Sequence, residues 1–284
     1  HIETTLYVNG QRVDHQISLS TPHQYDVTEY VTFGADNELA ICVYNGIENV
    51  CVGQDSHSVT DQTQGNWNGI VGVIELRSAP IINKVRAVPD LQAGVVRIEV
   101  NEARYELPLG RDTCRWSEFN PKVYTRTVDY QGTPVEVTFG IRDICVEGRQ
   151  ILLNDRPVWF RGTLENCCFP ATGYAPMDVE SWVRVFEKCR EYGLNHVRFH
   201  SWCPPEAAFA AADEVGIYLQ PELTLFSQNW EHTRVGEDSL RDAFLTDELQ
   251  RLLDTYGNHP SFLLMCMGNE LKGDASVLER WVAY

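Results

Sequence analysis

Over its first eighty residues the chain sets short apolar, strand-like runs between turn signals, the pattern of a strand-rich region. Leu6-Tyr7-Val8 and Gln11-Arg12-Val13 flank Asn9-Gly10, a two-residue hairpin signal, and Glu38 to Tyr44 alternates before a turn at Asn45-Gly46. These predict an all-β unit over residues 1–79. A second strand-rich stretch runs from about Pro80 to Ile144, with Val95 to Val100 and Val135 to Phe139 as its clearest strands. The pattern suits a small sandwich over 80–146.

After about Glu147 the rhythm changes to alternating strands and helices. Val158 to Gly162, His196 to His200, Tyr218 to Glu222 and the apolar run Phe262 to Met267 predict four strands. Between them, Met177 to Tyr192, Pro205 to Val215 and Ser239 to Tyr256 have helical spacing, and the first two end at Gly193 and Gly216. Strands followed by helices predict a parallel sheet. Because no Gly-rich phosphate loop follows the first strand, a (β/α)8 barrel is favoured over a doubly wound nucleotide fold. A whole barrel takes roughly 250 residues, so 147–284 would hold its first half. His1 and Ile2 run straight into a hairpin, and Asp274 to Tyr284 opens a helical pattern with no stop signal, so the expectation is a chain cut at both ends.

Composition narrows the partners. Apolar residues make up 43% of the 284, which is enough for packed cores, and the formal charge of −17 argues against nucleic acid or anionic lipid. No apolar run reaches membrane-spanning length. The nine cysteines include the adjacent pair Cys167 and Cys168 but no CxxC or other metal-ligand spacing, which predicts mostly free thiols. Localisation is left open, an exported compartment being slightly favoured, and so is homo-oligomerisation.

Chemistry in such barrels gathers at the C-terminal ends of the strands. There the fourth strand runs into Gly268-Asn269-Glu270, and the third ends in Glu222. On the second strand His196, Arg198 and His200 share parity and project to one side. A charge there needs an opposite partner, so Arg198 predicts a carboxylate close by. Trp202 and Trp230 fall in loops at the strand ends and are candidates for stacking on a sugar face, although loop tryptophans are at least as often packing plugs. His196 and His259 read as structural histidines and are left out of the site.

Asn258-His259-Pro260-Ser261, the apolar strand and Gly268-Asn269-Glu270 together resemble the acid/base signature of glycoside hydrolase family 2, which includes β-galactosidases, β-glucuronidases and β-mannosidases. Gly193 to Arg198 resembles the family's second barrel strand. Phe139-Gly140-Ile141-Arg142 and Val158 to Gly162 resemble its entry into the barrel. Trp116 to Pro121 with Tyr124 resembles its immunoglobulin-like sandwich, and Gly65 to Ile70 the end of its jelly-roll sugar-binding domain. The resemblance implies a partial jelly roll, a short immunoglobulin-like sandwich and the first half of a TIM barrel. It implies Glu270 as general acid/base, Asn269 as donor to the sugar 2-hydroxyl, Arg198 beside the nucleophile, and His200 and Glu222 lining the subsite, with Trp202 as a further contact. It implies carbohydrate as the ligand and no cofactor or metal. The nucleophile would belong on a seventh strand, beyond Tyr284, leaving this chain inactive alone.

Two segments depart from the family pattern. The stretch after the first strand reads Thr163-Leu164-Glu165-Asn166-Cys167-Cys168, and the loop after the second reads Ser201-Trp202-Cys203-Pro204-Pro205. Both bear on which sugar fits. Two other classes stay open: a metal-dependent barrel hydrolase using His196, His200 and Glu222, and a non-catalytic carbohydrate-binding protein with a remnant barrel.

Overall fold

The computed structural model describes residues 2–46, 52–53, 55–59, 69–227 and 233–283. The predicted hairpin pairs β1 (Glu3–Val8) with β2 (Gln11–Ile17). At its turn Asn9 and Gly10 both take positive φ, 51° and 77°, the combination that matches the twist of the two strands. β3 (Leu39–Tyr44) adds antiparallel to the other edge of β1, giving the order β2-β1-β3.

Two further antiparallel sheets share one core. The first is β4 (Val85–Asp90), β5 (Val95–Val100) and β6 (Ala103–Pro108); the second is β7 (Val123–Tyr130) with β8 (Thr133–Gly140). Val96, Ile98 and Val100 from one sheet meet Val128, Tyr130, Val137 and Phe139 from the other, as the period-two alternation requires. A small meander of β9 (Ile144–Glu147), β10 (Gln150–Leu153) and β11 (Arg156–Pro157) leads into the α/β part.

There β12 (Gly162–Glu165), β13 (His196–Phe199) and β14 (Tyr218–Gln220) form a parallel sheet with helical crossovers α1 (Val179–Glu191) and α2 (Glu206–Val215). α3 (Ser239–Tyr256) and α4 (Ala275–Val282) follow. The helix stops at Gly193 and Gly216 act as read, both with left-handed φ, and the starts carry side-chain caps that the periodicity did not reveal. Asp178, Asp238 and Asp274 each cap a first turn through the side chain. α1 closes in a Schellman motif, with Gly193 N donating to Arg190 O and Leu194 N to Cys189 O, both at 2.9 Å, around the left-handed Gly193.

Two strand expectations need correction. The first parallel strand is Gly162–Glu165, not Val158 to Gly162; the earlier residues are held by Val158 N to Ile151 O and by Asn195, whose side chain takes Arg161 N and donates to Trp159 O. The fourth segment, Phe262 to Met267, joins the sheet through separate parallel bridges, Leu219 to Phe262 and Glu222 to Cys266, and no continuous ladder. Pro221 stands in the facing segment and has no N–H to give, so only its carbonyl is used, by Cys266 N at 3.1 Å. The described residues therefore make an open parallel sheet, not a closed barrel.

The family-like segments act as clamps between these parts. Arg142 donates through Nε and Nη2 to the carbonyls of Pro260 and Phe262, both at 2.7 Å. Gly140 lets Pro260 come so close that a Cβ there would lie 2.3 Å from its ring. Asn258 takes Ala87 N and donates to Val85 O, bonding β4 to the turn after α3. Trp116, fully buried, donates Nε1 to Asp213 O at the foot of α2, and Glu118 accepts from Asn195 and Arg161. Ser18 and Leu19, just past β2, bond the buried carboxylate of Glu248 on α3.

Candidate active site

Arg198, on β13, points toward the strand ends and finds the anionic partner its position demands. Its Nε pairs with Glu222 Oε1, and its Nη2 donates to Asn269 Oδ1 at 2.8 Å. Glu222 is wholly buried, and its second oxygen accepts Ser201 N at 2.7 Å. A buried carboxylate is tolerable only when charge-paired and hydrogen-bonded in this way.

That arrangement orients Asn269. A guanidinium has donors only, so the amide oxygen must face Arg198 and the amide nitrogen must face away. Asn269 is 5% exposed, and its Nδ2 is buried without a hydrogen-bond partner among the described residues. An unmet buried donor costs about 1–3 kcal/mol, which a ligand hydroxyl or carbonyl would offset. Glu270, the next residue, has φ of 48° and an exposed side chain. Gly268 before it has φ of 128°, and a Cβ there would sit 2.6 Å from Leu225 O. These left-handed positions flank the buried amide of Asn269, which bridges parallel to Phe226, and the carboxylate of Glu270 is exposed.

Left-handed backbone recurs around this mouth. Cys167, past the end of β12, has φ of 54°, and Ser201, two residues after β13, has φ of 53°. Non-glycine residues rarely take such angles, and they gather where side chains must be aimed against local preference.

His200 completes the group read from the sequence. Its ring lies 5.3 Å from Phe226, and burial lowers its pKa against the opposing field of Glu222. Against it stands a residue the sequence reading missed: His57, whose ring centroid is 4.7 Å away, edge to face. Burial, then His200, pushes the His57 imidazole down to about 4. The only hint in the sequence was a polar run, Ser56-His57-Ser58, between Val52 and Val59.

Glu165 was also passed over, though it lies in a departing segment. At the end of β12 its carboxyl accepts Cys167 N at 3.0 Å, and burial raises it to about 7, outweighing the hydrogen bonding that opposes the rise. Trp202 lies beneath the mouth: 5% exposed, it packs on Phe199, Trp182 and Phe169, and its Nε1 donates to Glu165 O at 3.2 Å. Trp230 and the segment Gly65 to Asn68 lie outside the described residues. His196 packs on Phe160 at 5.1 Å, apart from His200 and its neighbours, and among the described residues no three His, Cys, Asp or Glu side chains could hold a metal ion. His259 is bonded on both ring nitrogens, to Asp213 at 2.6 Å and Glu206 at 2.8 Å. The described cysteines are free thiols.

Residues 144–280 match the family described as "Glycosyl hydrolases family 2, TIM barrel domain". The chain is 24% identical to the β-galactosidase large subunit of Latilactobacillus sakei, aligned over 100% of this chain and 52% of that protein. It is 22% identical to a β-galactosidase of Aeromonas hydrophila, over 93% and 30%. Among solved structures, a β-glucuronidase of Parabacteroides merdae superposes with a TM-score of 0.74 at 16% identity, over 98% of this chain and 42% of that one. A β-glucuronidase from an uncultured Clostridium gives 0.73 at 18%, over 99% and 55%. The chain thus spans about half the length, or less, of these relatives. The chain is thus similar to glycoside hydrolase family 2, and its residues 144–280 match the barrel domain of that family.

Proposed function

We propose that this chain is part of a retaining β-glycosidase in which Glu270 serves as general acid and then general base. The observation that carries the reading is the amide of Asn269, held by Arg198 so that its unmet Nδ2 faces away from the guanidinium, beside the carboxylate of Glu270. A donor fixed beside an exposed carboxyl suits a sugar whose 2-hydroxyl is gripped while its glycosidic oxygen is protonated. His200 and the Arg198–Glu222 pair line the same mouth. The relatives named as β-galactosidases and β-glucuronidases support a β-linked sugar as the substrate class.

A retaining mechanism needs a second carboxyl about 5 Å from the first. Glu222 is a poor candidate, since both its oxygens are engaged, one by Arg198 and one by Ser201 N. We assign the nucleophile to the share of the relatives' length that this chain does not span. On the same reading, residues 1–79 belong to a jelly-roll domain, 80–146 to an immunoglobulin-like sandwich and 147–284 to the barrel.

The test is Glu270→Gln in a polypeptide that carries the rest of the barrel. Turnover should fall most for aryl β-glycosides with poor leaving groups, which need the proton, and least for activated ones. In Glu270→Ala, azide should restore turnover of an activated substrate. Equal losses across leaving groups would overturn the role given to Glu270.

A further inference from the structure

At the N-terminal ends of the parallel strands, on the side away from the mouth, the surface holds a hollow of about 170 Å³. Its walls come from three places. Glu118 and Phe119 belong to the loop before β7, Arg161 stands just ahead of β12, and Arg190, Gly193 and Gly216 mark the C-terminal ends of α1 and α2. The loop is fixed against the sheet because Glu118 accepts from Asn195 Nδ2 at 3.0 Å and from Arg161 Nη2 at 2.9 Å. Two aromatic side chains stand in solvent at this place: Phe119, which lines the hollow, is 86% exposed, and Tyr192, next to the lining Gly193, is 79% exposed.

The charges in the walls nearly cancel. Arg161 pairs with Glu118 and also donates Nε to Gly193 O at 2.7 Å, past the end of α1. Arg190 donates Nη1 to Val215 O at 3.0 Å, at the end of α2. One guanidinium charge in excess is thus set against two helix C-termini, each equivalent to about half a negative charge. Among the described residues Arg190 makes no ion pair, and Val215 O is its one side-chain acceptor, so further N–H groups are left for a ligand. A hollow that is near neutral, rich in donors and flanked by aromatic faces suits a neutral polyhydroxylated ring. The C–H face of such a ring stacks on an aromatic plane while its hydroxyls accept from the guanidinium. An anion would meet the two helix ends instead.

We propose that this hollow is a second carbohydrate site, which holds a β-linked chain of neutral sugars at the end of the sheet opposite the acid/base. The choice of ligand rests on the glycosidase reading above, while the site itself uses none of the strand-end residues.

The experiment uses the barrel-complete polypeptide with Glu270→Gln, so that bound chains are not cleaved, run in native gels that contain a β-linked galactan, a xylan or a β-glucan. Migration should slow in at least one of them. Phe119→Ala combined with Tyr192→Ala should weaken the apparent affinity by about fivefold or more, and Arg190→Met should weaken it as well. These positions are exposed, and an unchanged thermal transition verifies that the variants fold. Asn269→Ala should leave the slowing in place. No slowing in any gel, slowing retained by the aromatic double variant, or slowing lost in Asn269→Ala would overturn the second site. Turnover of aryl β-glycosides by the unsubstituted polypeptide is followed alongside: its absence would sink the glycosidase reading, whereas the gels decide the site.

Discussion

Arg198 and Asn269 are joined by a 2.8 Å hydrogen bond from guanidinium Nη2 to amide Oδ1, across elements 71 residues apart in sequence. Through Glu222 the same guanidinium links the ends of three successive strand segments: its own, the third and the fourth. Arg198 is thus a structural tie as well as a candidate site residue, and the two roles can be separated.

Removing only Arg198 should be costly. In Arg198→Met the wholly buried Glu222 keeps Ser201 N but loses its counter-charge, and an orphaned buried charge typically costs about 3–5 kcal/mol. The double variant Arg198→Met, Glu222→Leu should recover most of that, because no charge is then left unpaired. Urea midpoints of the two variants check this; a double variant no more stable than the single one would mean that the pair itself carries the stability.

How far the site was legible follows from where its information lies. Parity on one strand was enough to put Arg198 beside a carboxylate, and the amide and carboxylate that follow the apolar run Phe262 to Met267 marked Asn269 and Glu270. His57 was not legible, because its position depends on a segment from another sheet docking through backbone and serine contacts that leave no periodic trace. Trp202 illustrates the opposite limit: a loop tryptophan reads equally well as stacking platform or plug, and only the packing against Phe199 and Trp182 distinguishes the two. The fourth strand's apolar run announced burial correctly at Phe262 and Leu263 but could not reveal that Pro221 opposite would interrupt the ladder.

His259 should make stability fall on the alkaline side. Burial alone would lower its pKa, but hydrogen bonds to Asp213 and Glu206 outweigh that and raise it to about 10. A raised folded-state pKa means stabilisation that is complete below the unfolded value near 6.5 and lost as pH rises through 10. The slope from this one proton can reach about 1.4 kcal/mol per pH unit. Denaturation of the wild type and His259→Gln between pH 6 and 10 measures it. The variant should be less stable at pH 6 and should converge on the wild type at pH 10.

Glu165 acts in a lower window with the same sign. Burial raises its carboxyl to about 7, so the folded state holds a proton that the unfolded chain releases near 4.5. Its contribution is full below 4.5 and gone above 7, a change on the order of 3 kcal/mol. Glu165→Gln keeps an acceptor for Cys167 N and cannot ionise. The variant should remove this part of the pH dependence between 4.5 and 7 and gain on the wild type at pH 8. An unchanged profile would show that the carboxylate is already relieved by the mouth it borders.

The chain 1–284 by itself should hydrolyse no aryl β-glycoside. Glu270 is exposed and aimed, and a well-placed general acid contributes about 10²–10⁴-fold, far below what glycoside hydrolysis requires. The remainder comes from a second carboxylate that attacks the anomeric carbon, and Glu222 cannot supply it while both its oxygens are bonded to Arg198 and Ser201. The check is to assay residues 1–284 beside a polypeptide extended through the rest of the barrel on one panel of aryl β-glycosides, with folding of the short chain verified by its thermal transition. Turnover should appear only in the longer polypeptide. If the folded short chain turns over substrate at a comparable rate, the nucleophile lies among these residues, and Glu165, a largely buried carboxyl at the end of the first strand, becomes the first to replace.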